Sequence, residues 1–164
     1  MKITLKDGSV KEYESKKSII DIAKDISEGL ARNVVAGEVN GVMHDLRDEI
    51  EADCELNLIT LKDKEALSVI RHSASHVLAE AVKRVFPEAK LAIGPSIAEG
   101  FYYDFDHEPF SREDLDKLEA EMKKIIKEGA HIEKFELPRQ EAIKFMEEKN
   151  EPYKVELIKD LPEG

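Results

Sequence analysis

Short stretches of alternating apolar and polar residues open the chain. Ile3 and Leu5 alternate with polar neighbours, and Asp7-Gly8 follows them as a dipeptide that tolerates positive φ angles. Alternation next to such a dipeptide predicts a β-hairpin over residues 2–13.

A second hairpin is predicted around Asn40-Gly41, the strongest short hairpin signal in the chain. Its strands are predicted at Val34–Val39 and Val42–Leu46. A further strand follows, with alternating apolar positions at Cys54, Leu56 and Leu58.

One helix is predicted between the two hairpins. Ser18, with Asp21 three residues later, is typical of a helix start, and the apolar spacing continues as far as Gly29 and beyond. Its apolar face consists of Ile19, Ile22, Ala23, Ile26 and Leu30. The order strand, strand, helix, further strands is that of a ubiquitin-like β-grasp domain, in which a helix packs across a mixed sheet. Because Lys62-Asp63-Lys64 forms a polar boundary, we predict domains at residues 1–61 and 62–164.

The apolar spacing becomes helical from Glu65 and predicts a long helix to about Phe86, which Pro87 ends. Its apolar positions are Leu67, Ile70, Ala74, Val77, Leu78, Ala81 and Val85. Two strands are then predicted within Leu91–Asp106, where turn signals at Gly94-Pro95 and Glu99-Gly100 interrupt apolar and aromatic residues.

Helical and strand-like segments alternate in the remainder. Ser111, followed by Asp114, predicts a helix that ends at Gly129. Its predicted buried stripe is Leu115, Leu118, Met122 and Ile125. The last predicted elements are a strand at Ile132–Leu137, a helix at Pro138–Lys149 and a strand at Tyr153–Ile158. The predicted fold class is therefore α+β.

Composition narrows the range of functions. The 41% apolar content is adequate for packed cores. With 25 basic and 36 acidic residues, the net charge of −11 argues against binding a phosphate backbone by bulk electrostatics, so we predict no DNA partner. No apolar run approaches the roughly 20 residues that span a bilayer, which predicts no membrane partner. The single cysteine, Cys54, and the absence of a signal sequence favour the cytoplasm.

Two histidines are the first candidates for chemistry. His72 and His76 are four residues apart on the predicted helix, so both rings project from one side, within reach of a shared water or substrate group. An isolated pair at this spacing is more often structural, with each ring bonded to backbone or water.

Metal binding is an alternative for the same pair, because histidines at i and i+4 can both ligate zinc. The metalloprotease motif requires Glu after the first histidine, where this chain has Ser73. Cys54 lies in a predicted strand of the other domain and is expected to pack as a small apolar residue. We therefore predict no metal site.

Four more positions have competing interpretations. Gly94-Pro95 and the aromatic run ending at Tyr103 are typical of a turn and a half-buried strand. Alternatively, the turn lets backbone approach a ligand to which Tyr103 lends its hydroxyl. Lys154 is typical of a solvated cation on an edge strand, but in a pocket it would stabilise a developing oxyanion or bind a terminal phosphate.

Sequence strings in both predicted domains resemble one family. The strings ITLKDGSV, AGEVNGVMHDL and LNLIT resemble the TGS domain, a β-grasp module of threonyl-tRNA synthetases and of some GTPases and stringent-response enzymes. The strings IRHSASHVLAEAVKRVFP, AIGPSIAEGFYYDFD and EPYKVELI resemble the second domain of bacterial threonyl-tRNA synthetases. The resemblance covers nearly the whole chain, and the H-x-x-x-H helix, the I-G-P turn and G-F-Y-Y-D are together highly specific.

The resemblance implies a tRNA-editing function. In that family the second domain hydrolyses serine wrongly attached to the threonine tRNA. This implies catalytic roles for His72, His76 and Lys154 and substrate-binding roles for Gly94, Pro95 and Tyr103. Because one missing methyl group is worth only about 1–3 kcal/mol, a synthetic pocket rejects serine by roughly 10- to 200-fold, and a second, hydrolytic site supplies the rest.

The resemblance also implies an incomplete chain. The family's editing domain continues to a C-x-x-x-H element, and its ATP-binding core lies beyond Gly164, so we expect the fragment to be inactive or incomplete by itself. No cofactor is expected in this chain, whereas ATP, magnesium and zinc are expected for the missing core. The parent is expected to be a cytoplasmic, homodimeric threonine–tRNA ligase that binds tRNA.

Three other functions are alternatives to this expectation. A non-catalytic module, in which the TGS-type domain binds a regulatory ligand or partner, predicts no acceleration of ester cleavage. A ubiquitin-like sulfur carrier is disfavoured because the last strand runs into Leu61-Lys62-Asp63 instead of an exposed Gly-Gly. An alanyl-type editing protein, whose similar helix binds zinc, is disfavoured by the TGS-like domain and would be distinguished by zinc analysis.

Overall fold

The computed structural model describes residues 1–129, 132–133 and 135–162. The chain divides into two compact units, Met1–Arg71 and His72–Gly164. This division falls inside a long helix, whereas the sequence places the domain boundary after residue 61, so the position of that boundary stays a prediction. Within the described residues, no helix is both long and apolar enough to cross a membrane.

The first unit is built on a mixed five-stranded sheet. The strands of this sheet are β1 (Lys2–Leu5), β2 (Val10–Glu12), β4 (Val34–Val39), β5 (Val42–His44) and β7 (Cys54–Thr60). Two further short strands, β3 (Lys17–Ser18) and β6 (Glu49–Ile50), pair separately with each other. The order is β2-β1-β7-β4-β5, with β1 and β7 parallel and the other neighbours antiparallel. Both predicted hairpins are confirmed, although β5 ends at His44 and not at Leu46.

Helix α1 (Ile19–Ile26) crosses one face of this sheet, and Ser18 caps it by accepting a hydrogen bond from the Asp21 N–H at 3.3 Å. The prediction that the helix continues past Gly29 is wrong. The extended backbone of Ser27 interrupts it, and the Ser27 hydroxyl caps a separate short helix, α2 (Glu28–Ala31), by accepting from the Leu30 N–H. Serine favours such a cap over a position inside a helix, because its side chain competes for backbone hydrogen bonds.

The core of the first unit joins helix and sheet. Its buried residues are Ile3, Ile19, Ile22, Ile50 and Leu56. Ala66, near the start of α3 (Lys64–Val85), packs against Ala36 and Ile59 of the sheet. A helix packed across a mixed sheet of this order confirms the predicted β-grasp arrangement and the α+β class.

The second unit contains the rest of α3 and three further helices, α4 (Arg112–Glu128), α5 (Arg139–Glu148) and α6 (Pro152–Asp160). Its core consists of Ala81, Val82, Ala89, Leu118 and Ile125. Arg84 ties α3 to α4, because its Nη1 donates to Glu121 at 3.1 Å and to Glu128 at 3.0 Å.

Helix α4 begins and ends as predicted, with a capping box at Ser111 and a left-handed Gly129 after its last turn. Leu115, however, is 54% exposed, so its predicted burial is wrong. Leu118 and Ile125 belong to the core and Met122 packs against it, whereas Leu115, in the first part of the helix, lies at the surface.

The two predicted strands of Leu91–Asp106 form an interrupted hairpin. Its four short strands are β8 (Lys90–Leu91), β9 (Ser96–Ile97), β10 (Gly100–Phe101) and β11 (Phe105–Asp106). β8 pairs with β11, and β9 pairs with β10. The first predicted strand is therefore broken into β8 and β9 at Gly94-Pro95, and the second is broken into β10 and β11 opposite this turn. Pro95 contributes to the break because it has no N–H to donate to a ladder.

The predicted strand at Tyr153–Ile158 is wrong, because these residues lie in α6. Pro152 occupies the first helical position, which suits its fixed φ and needs no N–H donor. Among the alternating apolar residues of this segment only Val155 is buried, so the alternation does not mark one buried face of a strand. Lys154 therefore lies on a helix and not on an edge strand.

The predicted strand at Ile132–Leu137 is also wrong where the structure describes it, since residues 132–133 and 135–137 have no strand conformation. Lys134 lies outside the described residues. Ile132 and Phe135 are 57% and 62% exposed, so no packed sheet covers the apolar side chains that suggested a strand. The helix predicted at Pro138–Lys149 is confirmed as α5.

The turn of the second hairpin generates a stability prediction. Asn40 and Gly41 have φ angles of 49° and 83°, as a two-residue hairpin turn requires. Gly41→Ala should lower the free energy of unfolding by roughly 1 kcal/mol, because an L side chain is strained at positive φ. Gly29→Ala, in helix α2, where a Cβ would make an ordinary 3.8 Å contact with Ser27, is the control and should cause no loss of stability, because alanine is favoured over glycine in a helix. Urea unfolding of both variants measures the difference, and equal losses would contradict the turn assignment.

Candidate functional site

The two candidate histidines lie side by side on α3. The Nε2 atoms of His72 and His76 are 3.1 Å apart, and the two rings meet edge to face with centroids 4.5 Å apart. Both side chains are exposed. A hydrogen bond between two ring nitrogens needs one donor and one acceptor, so the pair can share a bond only while at least one ring is neutral.

A strip of buried residues on α3 runs next to the two histidines. Ser75 is 1% exposed, and its hydroxyl donates to the His72 carbonyl at 2.7 Å. Ala79 and Val82 are also buried, in successive turns of the same helix. The histidines flank this buried strip, since Ala79 is seven residues from His72 and nearly in line with it, yet both imidazoles remain accessible to solvent.

Lys154 is anchored to the hairpin. Its Nζ donates to the Ala92 carbonyl at 2.7 Å and lies 3.4 Å from the Tyr103 hydroxyl. The ammonium is also 5.7 Å from the centroid of the Tyr103 ring. An ammonium has three N–H groups, and its contacts with the described residues occupy at most two, which leaves one for a ligand.

Gly94 and Tyr103 are in close contact across the hairpin. A Cβ added at Gly94 would lie 2.0 Å from Tyr103 Cδ2, so the ring occupies the space that any other residue would need. Tyr103 also stacks on Phe105, with ring centroids 4.8 Å apart. This packing explains the glycine structurally, whereas its role in substrate binding stays a prediction. Pro95 is exposed at the same turn.

Electrostatics connect the histidine pair with Lys154. Partial burial of the ring lowers the pKa of His76, and the neighbouring His72 and the Lys154 ammonium lower it further. His76 is therefore neutral at neutral pH, which is the form that accepts a proton. The structure thus places His72 beside His76. It also places Tyr103 beside Lys154, and Gly94 beside Tyr103. The Lys154 charge links the two groups by lowering the pKa of His76.

A pocket of about 310 Å³ opens beside one of the histidines. It is lined by His76, Val77, Glu80, Ile125, Ile126, Gly129 and Ile132. A larger pocket, of about 380 Å³, lies over the β-grasp sheet and contains none of the candidate residues. The pocket at His76 is just large enough for a small ligand group.

Metal binding is a separate possibility for side chains of these types. Among the described residues, no group of three or more His, Cys, Asp or Glu side chains is arranged to hold a metal ion. Cys54 packs at the edge of the first unit's core, and burial raises the pKa of its thiol. The expectation that this chain holds no metal stays a prediction.

Sequence reasoning missed the Ala92 carbonyl, which accepts a hydrogen bond from the candidate lysine, and the Glu151 side chain, which is buried at the start of the same helix. Glu151 directly precedes α6, is 5% exposed and accepts from the Leu91 N–H at 2.9 Å. A glutamate followed by Pro152 is a usable helix-start signal, but it was overlooked because the next residues were predicted as a strand.

Comparisons with known proteins find similar sequences for both units. The sequence model of the TGS domain matches residues 1–60. The threonine–tRNA ligase of Acetivibrio thermocellus is 64% identical over 100% of this chain and 26% of the relative. Those of Clostridioides difficile and Clostridium acetobutylicum are 60% and 53% identical, over 100% and 99% of this chain and 26% of each relative. The chain therefore spans about a quarter of the length of these relatives.

The effect of the Lys154 charge on His76 predicts a change in the pKa of this histidine. Lys154→Met should raise the pKa of His76 towards its ordinary value, because loss of the cation favours the imidazolium form. Lys159→Met, at an exposed position of the same helix, is the control and should leave this pKa unchanged. Histidine ring signals followed by NMR over pH measure both variants. The same His76 pKa in both would contradict the proximity of Lys154.

The contact between Gly94 and Tyr103 predicts a non-additive pair of substitutions. Gly94→Ala should lower the free energy of unfolding by about 1–3 kcal/mol, because the ring must move. In a Tyr103→Ala background the same change should have much less effect, since the ring is gone. Denaturant unfolding of the four proteins in this cycle measures the coupling. Additive losses would show that ring and glycine do not meet.

Proposed function

Because the chain belongs to the bacterial threonine–tRNA ligase family, as the amino-terminal region that begins with a TGS domain, we propose that it carries a hydrolytic site for wrongly charged tRNA. The observation that carries the proposal is the arrangement around α3. A neutral, solvent-accessible imidazole, a second imidazole 3.1 Å away and an anchored ammonium supply the groups that ester hydrolysis needs.

The proposed reaction is the cleavage of an aminoacyl ester by water. His76 or His72 takes a proton from water while the water oxygen attacks the ester carbonyl. The remaining N–H of Lys154 donates to the tetrahedral oxyanion. Collapse of this intermediate breaks the bond to the ribose oxygen, which takes back the proton from the imidazolium. Free amino acid and free tRNA are the products.

Serine on the threonine tRNA is the proposed substrate. Serine lacks one methyl group, which is worth only about 1–3 kcal/mol in a pocket, so a single binding step leaves many errors. A hydrolytic site that admits serine but not threonine removes them. In this proposal Tyr103, Gly94 and Pro95 line the amino-acid end of the substrate, since Tyr103 adjoins Lys154 and Gly94 adjoins Tyr103.

The remaining functions are proposed for the whole protein. They are ligation of threonine to tRNA, the use of ATP, magnesium and zinc by the catalytic core, a homodimeric state and a cytoplasmic location. The net charge of −11 requires that other parts of the protein hold most of the tRNA backbone.

A non-catalytic binding role is the second candidate, favoured by a pocket in the TGS domain itself. This pocket, of about 300 Å³, includes His44 and Asp48, whose Nδ1 and Oδ2 atoms are 3.0 Å apart. In that case the TGS domain would bind a ligand or partner and the helix with the two histidines would only support it.

Release of labelled amino acid from tRNA distinguishes the two candidates. Seryl-tRNA and threonyl-tRNA, both on the threonine tRNA, are incubated with this chain and with a longer version that includes the C-x-x-x-H element. We expect selective release of serine by the longer version. Release by neither version would favour the binding role, whereas equal release of both amino acids would count against selective editing.

Variants of the longer version locate the activity. His72→Ala and His76→Ala should each slow serine release by roughly 100-fold or more, because each removes a group that positions or deprotonates water. His44→Ala, in the TGS pocket, should retain the parent rate. In the parent, the rate should rise with pH through an apparent pKa below the ordinary value of histidine, because partial burial lowers the pKa of His76. A parent-like rate for both site variants would overturn the assignment.

A further inference from the structure

One carboxylate is buried in the second unit close to the candidate site. Glu151 is 5% exposed and, with Ser75, makes up the buried polar residues found among those described. A buried carboxylate is costly unless other groups pair with it and satisfy its oxygens. The burial of the Glu151 carboxylate therefore needs an explanation from the groups around it.

Both oxygens of this carboxylate are used. Oε1 accepts from Lys83 Nζ at 2.7 Å, and Oε2 accepts from the Leu91 N–H at 2.9 Å. Lys83 in turn donates to the Pro87 and Ala89 carbonyls, at 3.0 Å each. The three N–H groups of the lysine are thus matched by three acceptors, so the network is complete.

The network joins the three elements that carry the proposed site. Lys83 lies on α3, the helix of His72 and His76, and Leu91 lies in β8, next to the Ala92 carbonyl that holds Lys154. Glu151 itself stands just before α6, one turn ahead of Lys154. Displacement of this carboxylate would therefore move the start of the helix that presents the ammonium.

We propose that Glu151 is a positioning residue of the hydrolytic site, which with Lys83 fixes α6 so that Lys154 stays at the Ala92 carbonyl. This inference rests on the proposed function, but the placement of Lys154 can be tested without it. The other side-chain link of this helix end, from the Tyr153 hydroxyl to Asp106 at 2.9 Å, is exposed and contributes less.

The titration of His76 distinguishes positioning from a direct charge effect. Loss of a negative charge at Glu151 would by itself favour neutral imidazole and lower the pKa of His76. Displacement of the Lys154 cation would raise it. The two explanations therefore predict opposite signs.

NMR titration of the chain compares Glu151→Gln, Lys154→Met and the double variant. We expect Glu151→Gln to raise the pKa of His76, in the same direction as Lys154→Met, and to cause no further rise in the Lys154→Met background. Glu156→Gln removes an equal charge at an exposed position of the same helix and should leave the pKa in place. A folded Glu151→Gln chain with an unchanged or lowered pKa would overturn the proposal.

A second variant covers the case in which Glu151→Gln does not fold because Lys83 is left without its counterion. Lys83→Met/Glu151→Gln leaves no buried charge, and it should also raise the pKa of His76. An unchanged or lowered value in this folded variant would overturn the proposal equally.

The rate of serine release by the full-length protein is the second test of the role of Glu151. Glu151→Gln should lower kcat for serine release by roughly 10- to 100-fold with little change in KM, as expected for a misplaced group. Glu156→Gln should stay within about two-fold of the parent, as surface changes commonly do. If the parent itself releases no serine, the proposed function fails and the titration alone decides the role of Glu151. If the parent is active and Glu151→Gln keeps its kcat, the positioning role fails.

Discussion

One lysine ammonium sets the geometry of the candidate site. Lys154 is held 2.7 Å from the Ala92 carbonyl and 3.4 Å from the Tyr103 hydroxyl, on a helix whose start is tied down by the buried Glu151. Partial burial and the neighbouring His72 lower the pKa of His76, the Lys154 charge lowers it further, and in the proposed reaction the same cation stabilises the oxyanion. Its position therefore links the packing of α6 to the chemistry proposed at α3.

Local signals in the sequence predicted the elements that depend on nearby residues. Ser18 and Ser111 cap helices as their spacing with a following aspartate indicates, and Asn40-Gly41 forms the expected turn. The neighbouring positions of His72 and His76 likewise follow from helical spacing alone. Such features need no information about which segments meet in space.

Features that depend on distant residues could not be predicted in this way. The segment around Lys154 alternates like a strand, yet Val155 alone is buried and Glu151 bonds to Leu91, far away in sequence. The contact of Gly94 with Tyr103 and that of Lys154 with Ala92 also depend on tertiary packing. The family resemblance pointed to Lys154 without its surroundings, and so Glu151 was missed.

The most direct measurement is NMR of the longer protein with a hydrolysis-resistant amide analogue of 3′-seryl-adenosine, with histidine, lysine and tyrosine side chains labelled. We expect signal changes at His72, His76, Tyr103 and Lys154, and weaker changes with the matching threonyl analogue. Changes confined to the TGS domain, or none at these four side chains, would contradict the placement of a hydrolytic site on α3 and α6.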